Sequence, residues 1–362
     1  MRKKLEPIVL DGTPFNRGKI HGETLQKNIW EMLDQIAFET TTYNSNLDDF
    51  VDQFYEETDY INAVKKWAPN LYEELQGIAQ GAGVDLKVLF MHNCSDEVLR
   101  FLQSKGIELK GIEVVLPGCS SIGCNKTPLY PAMQGQNLDT ILAFRGFETL
   151  FYIKESTDLH IMTVGWSGNL GPFGINNVPI AVNLNTINCN YNVNGLPLQF
   201  VGRKILEQTS LENIVKFMQS IQTGAAQNYM FGDKEQILDY EGSANAFTQY
   251  FPCKNYQYIY HTNHPLANKD TMDEYKPSEN TLSRFDFLEK RMRYGHYPIS
   301  LENMKHILSS HFGPICAHDP QYLAYTSRTW VSVISVLSED PEFHVAVGNP
   351  CENPYFRYEF MK

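Results

Sequence analysis

Through the first hundred residues of this chain apolar side chains recur every third or fourth position, and after Gly111 that spacing gives way abruptly to short β-branched runs. A helical period followed by a strand period, with no regular alternation of the two, predicts a layered α+β fold and excludes a doubly wound parallel sheet. Residues 15–40 set Ile20, Leu25, Ile29, Met32, Leu33 and Ile36 on one helical stripe. The pattern predicts further helices at 46–58, at 60–81 through Trp67, Leu71, Leu75 and Ile78, and at 86–101, with Gly81 and Gly83 as the stop between the last two. Strand-like runs follow at 112–116, 129–135, 141–145, 149–154, 159–165, 179–185, 236–241 and 256–261, then at 330–337 and 343–347. Two helices, at 198–222 and 279–310, interrupt them.

Thirty Lys and Arg against 42 Asp and Glu give a formal charge of −12, which argues against an electrostatic grip on nucleic acid or on a membrane surface. No stretch approaches the apolar length of a membrane span. The opening Met1-Arg2-Lys3-Lys4-Leu5-Glu6-Pro7 is too polar for an export signal, so a cytoplasmic protein with a small-molecule partner is expected. Seven cysteines, an odd number with no Cys-x-x-Cys, predict free thiols. Among ten histidines none forms His-Glu-x-x-His, and His261 and His264 have no acid between them, so no metal site is expected. The glycines at 165, 168, 171 and 174 lack the lysine and helix start of a phosphate cradle.

The chemistry points to Pro117-Gly118-Cys119-Ser120-Ser121, at the junction of the two textures. Glycine before cysteine lets the backbone turn a carbonyl toward the next thiol. Attack by Cys119 on the Gly118 carbonyl would form a thioester that water opens, leaving Cys119 with a free α-amine. That amine, with an ordinary pKa of about 7.7–8.0, can serve as base for its own thiol. By itself the pair more often marks an inert, buried cysteine.

Several further blocks stand in order along the chain. They are Gly12-Thr13-Pro14-Phe15-Asn16-Arg17-Gly18-Lys19-Ile20-His21-Gly22, Glu73-Glu74-Leu75-Gln76-Gly77-Ile78-Ala79-Gln80-Gly81-Ala82-Gly83-Val84, Asn93-Cys94-Ser95-Asp96-Glu97, Gln134-Gly135-Gln136-Asn137-Leu138-Asp139, Val182-Asn183-Leu184-Asn185, Tyr260-His261-Thr262-Asn263-His264, Ser283-Arg284-Phe285, Ser327-Arg328-Thr329-Trp330-Val331-Ser332-Val333-Ile334 and Gly348-Asn349-Pro350-Cys351-Glu352. With Gly118-Cys119-Ser120-Ser121, this series resembles the acyl-coenzyme A:6-aminopenicillanic-acid acyltransferase family over essentially the full length. Members are self-processing cysteine enzymes of the N-terminal-nucleophile class.

The resemblance implies a four-layer αββα fold with a helical N-terminal prosegment. It implies self-cleavage between Gly118 and Cys119, giving segments 1–118 and 119–362 that stay associated. Cys119 would be nucleophile and base, Asn263 the oxyanion donor, Asp139 the carboxylate near the nucleophile's backbone, and Arg328 the guanidinium beside it. No cofactor is implied; a coenzyme A thioester enters only as acyl donor, and the partner is a small acylated amine or an acyl-CoA. Leu138 stands where the family has tryptophan and Thr140 where an aromatic often follows, which implies a reshaped acyl pocket. His264 carries no assigned role. Two other readings fit the same residues: an amidase of the bile-salt hydrolase and penicillin V acylase type, and an unprocessed binding protein with this fold.

Overall fold

A computed structural model describes residues 4–43, 46–105, 118–140, 144–254, 256–272, 275–293, 298–318 and 328–361. The first part holds β1 (Ile8–Leu10), α1 (Pro14–Thr24), α2 (Gln26–Tyr43), α3 (Leu47–Glu57), α4 (Tyr60–Trp67), α5 (Pro69–Ala82), α6 (Leu86–His92) and α7 (Ser95–Ser104). Three of the four expected helices are therefore pairs. Leu25 ends α1, Pro69 opens α5 at a position where its missing N–H is no loss, and the Asn93 side chain bonds back to Leu89 at the end of α6.

Next come β2 (Cys119–Cys124), β3 (Ala132–Thr140), β4 (Glu148–Lys154), β5 (His160–Trp166), β6 (Phe173–Asn176), β7 (Ala181–Thr186), α8 (Leu198–Leu206), α9 (Leu211–Ser220), β8 (Gln227–Gly232), β9 (Ile237–Gly242), β10 (Phe247–Gln249) and β11 (Tyr258–His261). Then follow α10 (Glu279–Arg293), α11 (Leu301–Leu308), β12 (Arg328–Leu337), β13 (Glu342–Val347) and β14 (Phe356–Glu359). The strand expected at 112–116 lies outside the described residues. So does most of the one at 141–145, and residues 144–146 turn instead of extending.

One sheet runs β1-β4-β5-β6-β7-β8-β9-β10 and the other β11-β2-β3-β12-β13-β14 among the described residues. The pairing of β1 with β4 is parallel, while the ladders around β2 and β3 are antiparallel. The inner faces meet where β2, β3 and β11 lie against β7, β8 and β9. Helices α1 and α8 cover the outside of the first sheet, and α10 and α11 cover the second, which gives the expected αββα order. The seam between the sheets is polar near β2: Gln136 bonds both backbone groups of Leu184, and Ser121 Oγ donates to Asn185 Oδ1 at 2.6 Å.

Helices α1 and α5 touch backbone to backbone. A Cβ on Gly18 would lie 1.9 Å from the Glu74 carbonyl oxygen, and one on Gly77 2.1 Å from that of Phe15. Glycine is required at this crossing because any side chain would occupy the partner's main chain. Beside it, buried Glu74 accepts from Arg17 Nε at 3.4 Å and Arg203 Nη1 at 3.0 Å, while Arg17 Nη2 reaches Glu155 at 2.8 Å. Among the described residues no helix is long and apolar enough to cross a membrane.

Candidate active site

Strand β2 starts at Cys119, which pairs with Leu138 of β3. Just past that rung the Asp139 N–H donates to the Gly118 carbonyl at 2.7 Å. The Cys119 N–H donates to Asn263 Oδ1 at 2.8 Å. The Gly118–Cys119 peptide is thus gripped on both its oxygen and its nitrogen. By strand alternation the Cys119 thiol faces the seam between the sheets with Ser121, whereas Ser120 faces α10.

From α10 comes Arg284, on the buried stripe Thr281, Arg284, Leu288, Met292. Its Nη1 donates to the Cys119 carbonyl at 2.5 Å and to Ser120 Oγ at 3.0 Å; Nη2 donates to Asn263 Oδ1 at 2.8 Å and Nε to Asn280 Oδ1 at 2.9 Å. Two donors, Cys119 N–H and Arg284 Nη2, converge on one atom of Asn263, so that atom is its oxygen. The Nδ2 group accordingly turns away to the Thr186 carbonyl at 3.0 Å.

Asp139 is paired across the ladder with Thr329, whose hydroxyl donates to Oδ1 at 2.7 Å. The register of β12 shifts between Thr329 and Val331, a bulge of the kind that re-aims side chains beside a site. A Cβ on Gly118 would come within 2.9 Å of Asp139 Oδ2, so the carboxyl lies directly over the Gly118 Cα and leaves room for glycine there. Burial lifts the Asp139 carboxyl to about 7, against the opposing pull of Arg284 and Thr329. Burial likewise pushes the Cys119 thiol up to about 12, with the Asp139 charge adding and Arg284 opposing. The resting thiol is therefore protonated and needs a base.

The loop carrying Asn263 is fixed from beneath. His261 Nε2 lies 2.7 Å from Glu241 Oε1 and Nδ1 2.9 Å from the Thr262 carbonyl, two acceptors that call for an imidazolium. The Glu241 hydrogen bond and nearby carboxylates raise the imidazole pKa although burial opposes it. Glu241 also gathers the backbone N–H groups of Leu266, Ala267 and Asn268. His264 Nδ1 lies 3.1 Å from Thr281 Oγ1, and burial lowers its pKa to about 4, so it is neutral and serves packing and hydrogen bonding.

Gly118, Cys119, Asp139 and Asn263 lie together, and the guanidinium bonded to Cys119 and Asn263 is that of Arg284, not the expected Arg328. Arg328 opens β12 opposite Thr140 and donates from Nη2 to Asn349 Oδ1 at 2.6 Å. The guanidinium beside Cys119 belongs to Arg284, which sequence reasoning passed over although Ser283-Arg284-Phe285 stood in the ordered series. Its signal was a cation in the apolar stripe of a helix, three residues after Thr281 and four before Leu288. Asn263 also presents its oxygen, not its amide nitrogen, to the Cys119 backbone.

Residues 130–336 match the family described as Acyl-coenzyme A:6-aminopenicillanic acid acyl-transferase. The chain is 26% identical over 285 residues to the Acyl-coenzyme A:6-aminopenicillanic-acid-acyltransferase 40 kDa form of Emericella nidulans, an alignment covering 78% of this chain and 76% of that protein. Two solved structures are also similar. The Caenorhabditis elegans N-acylethanolamine-hydrolyzing acid amidase ortholog aligns with a TM-score of 0.44 at 15% identity, over 60% of this chain and 92% of that one. Penicillin V acylase from Agrobacterium tumefaciens aligns with a TM-score of 0.40 at 10% identity, over 67% and 86% respectively.

Proposed function

We propose a reaction for this chain on the premise that it belongs to the acyl-coenzyme A:6-aminopenicillanic acid acyl-transferase family. The chain cuts itself between Gly118 and Cys119, then carries on the Cys119 sulfur an acyl group taken from an N-acyl amide or an acyl thioester. The observation that supports this reading is the doubly gripped Gly118–Cys119 peptide beneath a carboxyl whose pKa lies near 7.

In the cut, the Asp139 carboxylate takes the thiol proton as sulfur adds to the Gly118 carbonyl carbon. The developing oxyanion already has a donor in the Asp139 backbone N–H. One such donor is typically worth ~2.7–4 kcal/mol in the transition state. The carbon–nitrogen bond then breaks, the Asp139 proton passes to the departing Cys119 nitrogen, and a Gly118 thioester remains. Water hydrolyses it to the Gly118 carboxylate and the free thiol. The new α-amine stays on Asn263 Oδ1, with the Cys119 carbonyl held by Arg284, so amine and thiol of one residue are oriented together. In turnover the amine serves as base for the thiol. Asn263 Nδ2 carries two hydrogens, of which Thr186 takes one, and the other is the one an acyl oxyanion would use. Coenzyme A enters this reading only as the thiol of a thioester donor. Segments 1–118 and 119–362 remain one particle.

Intact-mass measurement of the purified protein is expected to show polypeptides of residues 1–118 and 119–362, with Edman sequencing of the second starting Cys-Ser-Ser-Ile-Gly, and Cys119→Ala is expected to stay one chain. Mass spectrometry after mixing the cut enzyme with N-acyl amides should add an acyl group to the peptide that begins at Cys119. A single uncut wild-type chain whose Cys119 resists iodoacetamide would instead mark a binding protein on this fold.

A further inference from the structure

We propose that His311, Cys316, His318 and Cys351 form a site for a divalent metal ion of zinc's class. Their four ligand atoms all lie within 4.8 Å of one another. Cys316 Sγ is 3.5 Å from Cys351 Sγ and 3.7 Å from His318 Nε2, and His318 Nε2 is 3.1 Å from Cys351 Sγ. A tetrahedral ion with Zn–S of about 2.3 Å and Zn–N of about 2.0–2.1 Å sets its ligand atoms about 3.3–3.8 Å apart, so these spacings need little adjustment to close on it. The His311 and His318 rings stand 87° to one another with centroids 4.9 Å apart, edge to face, which suits two imidazoles converging on one point.

The donor set favours a borderline-soft cation: two thiolates cancel a charge of +2, and two neutral imidazoles complete four-coordination. Binding releases the two thiol protons to solvent. Supporting groups stand behind the ligands as they do in metal sites. Glu352 Oε1 is 3.6 Å from His318 Nδ1, the ring nitrogen remote from the ion, and Asn349 Nδ2 donates to Cys316 Sγ at 3.4 Å. Both cysteines are free, and Cys316 is buried while the other three ligands are exposed, so the ion has a way in.

The site joins two places in the chain, the segment after α11 and the turn after β13. Between two of the ligands, Ala317 donates its N–H to Thr329 Oγ1 at 2.9 Å and accepts the Thr329 N–H at 3.0 Å, and the same Thr329 hydroxyl bonds Asp139. An ion here would clamp the loop that positions Thr329 under Asp139. The sequence hid the site because the fourth ligand stands 33 residues from the nearest other one and no Cys-x-x-Cys marks it.

Protein purified without chelator is expected to hold about one zinc per chain by mass spectrometric metal analysis. After stripping with a chelator, added Co2+ is expected to give the absorption of a tetrahedral thiolate complex, read on the unmutated chain so that no variant's folding decides the matter. Cys351→Ser and His318→Asn should each weaken Co2+ binding roughly tenfold or more, while Cys253→Ser, at an exposed cysteine elsewhere, should leave it unchanged. The proposal is overturned by a stripped wild-type chain that gives no such band, by zinc that persists in the Cys316→Ser/Cys351→Ser variant as an adventitious ion, or by a Cys316–Cys351 disulfide in peptides from untreated protein.

Discussion

Arg284 bonds the carbonyl of the nucleophile, the hydroxyl of the next residue and the oxygen of Asn263, and its charge opposes the burial of Asp139. Replacing it with methionine takes the charged donor from the Cys119 carbonyl and from Asn263 Oδ1, and losing a hydrogen bond to a charged group typically costs about 1.5–3 kcal/mol. Urea unfolding of Arg284→Met in the uncut Cys119→Ala chain should show a loss in that range. Arg284→Lys keeps the charge but not the fork, and displacing the Cys119 carbonyl is expected to slow the cut at least about tenfold on a timed gel. The Asp139 carboxyl gives a pH signature. If its ionised form takes the thiol proton, the rate of cutting rises to about pH 7 and then levels, and Asp139→Asn loses that limb. Stability runs the opposite way: a carboxyl raised from 3.8 to about 7 contributes stability at low pH that disappears as pH climbs through 7. Comparing urea midpoints, Asp139→Asn should therefore gain on the wild type between pH 4 and pH 8. Gly118, Cys119, Asp139 and Asn263 were legible because each sits in a short run beside a strand end. Arg284 reaches Cys119 across 165 residues and from a helix, so its local signal, a cation in a buried stripe, did not say which partner it meets.

The helix pair α1 and α5 turns an ordinary rule around. Alanine for glycine inside an exposed helix usually adds ~0.5–1 kcal/mol of stability. At Gly18 the new methyl would fall on the Glu74 carbonyl, and overpacking of this kind typically costs about 1–3 kcal/mol. Gly18→Ala is expected to lower the unfolding free energy by at least about 2 kcal/mol in urea titration, and a gain would show that the helices stand further apart than described. Elements with a clear period were legible, as at β4, β5, β7, β12 and β13. Their internal breaks were not, since local caps won over an apolar stripe that runs straight through: Ser210 caps α9 and Ser300 caps α11, each by accepting a backbone N–H three residues on. Strand β2 escaped for another reason. Buried on both faces, between a sheet and a helix layer, Cys-Ser-Ser-Ile-Gly-Cys has no apolar alternation to read.

For the molecule as a whole, the period change along the chain predicted α+β, and the four-layer stacking came from the ordered blocks alone. Strand pairing between distant segments leaves no local trace: β1 joins β4 in parallel across more than a hundred residues. The two segments that a cut at Gly118 would create are interleaved throughout. Arg17 and Glu74 from the first meet Arg203 and Glu155 from the second, and Tyr358 holds both the N–H and the carbonyl of Leu5. Size-exclusion chromatography of cut protein should accordingly give one peak containing both polypeptides, separable only in denaturant, and elution of 119–362 alone would refute the shared core. The place of β1 has an outcome of its own. Its departure would bare the main-chain rim of β4, whose Leu150, Phe151, Tyr152 and Ile153 are all buried, and a bared apolar rim recruits other strands. A protease that digested the amino-terminal piece is expected to yield turbid, thioflavin-positive aggregates in place of a smaller enzyme, because the rim of β4 that Ile8–Leu10 cover would then be open to another strand.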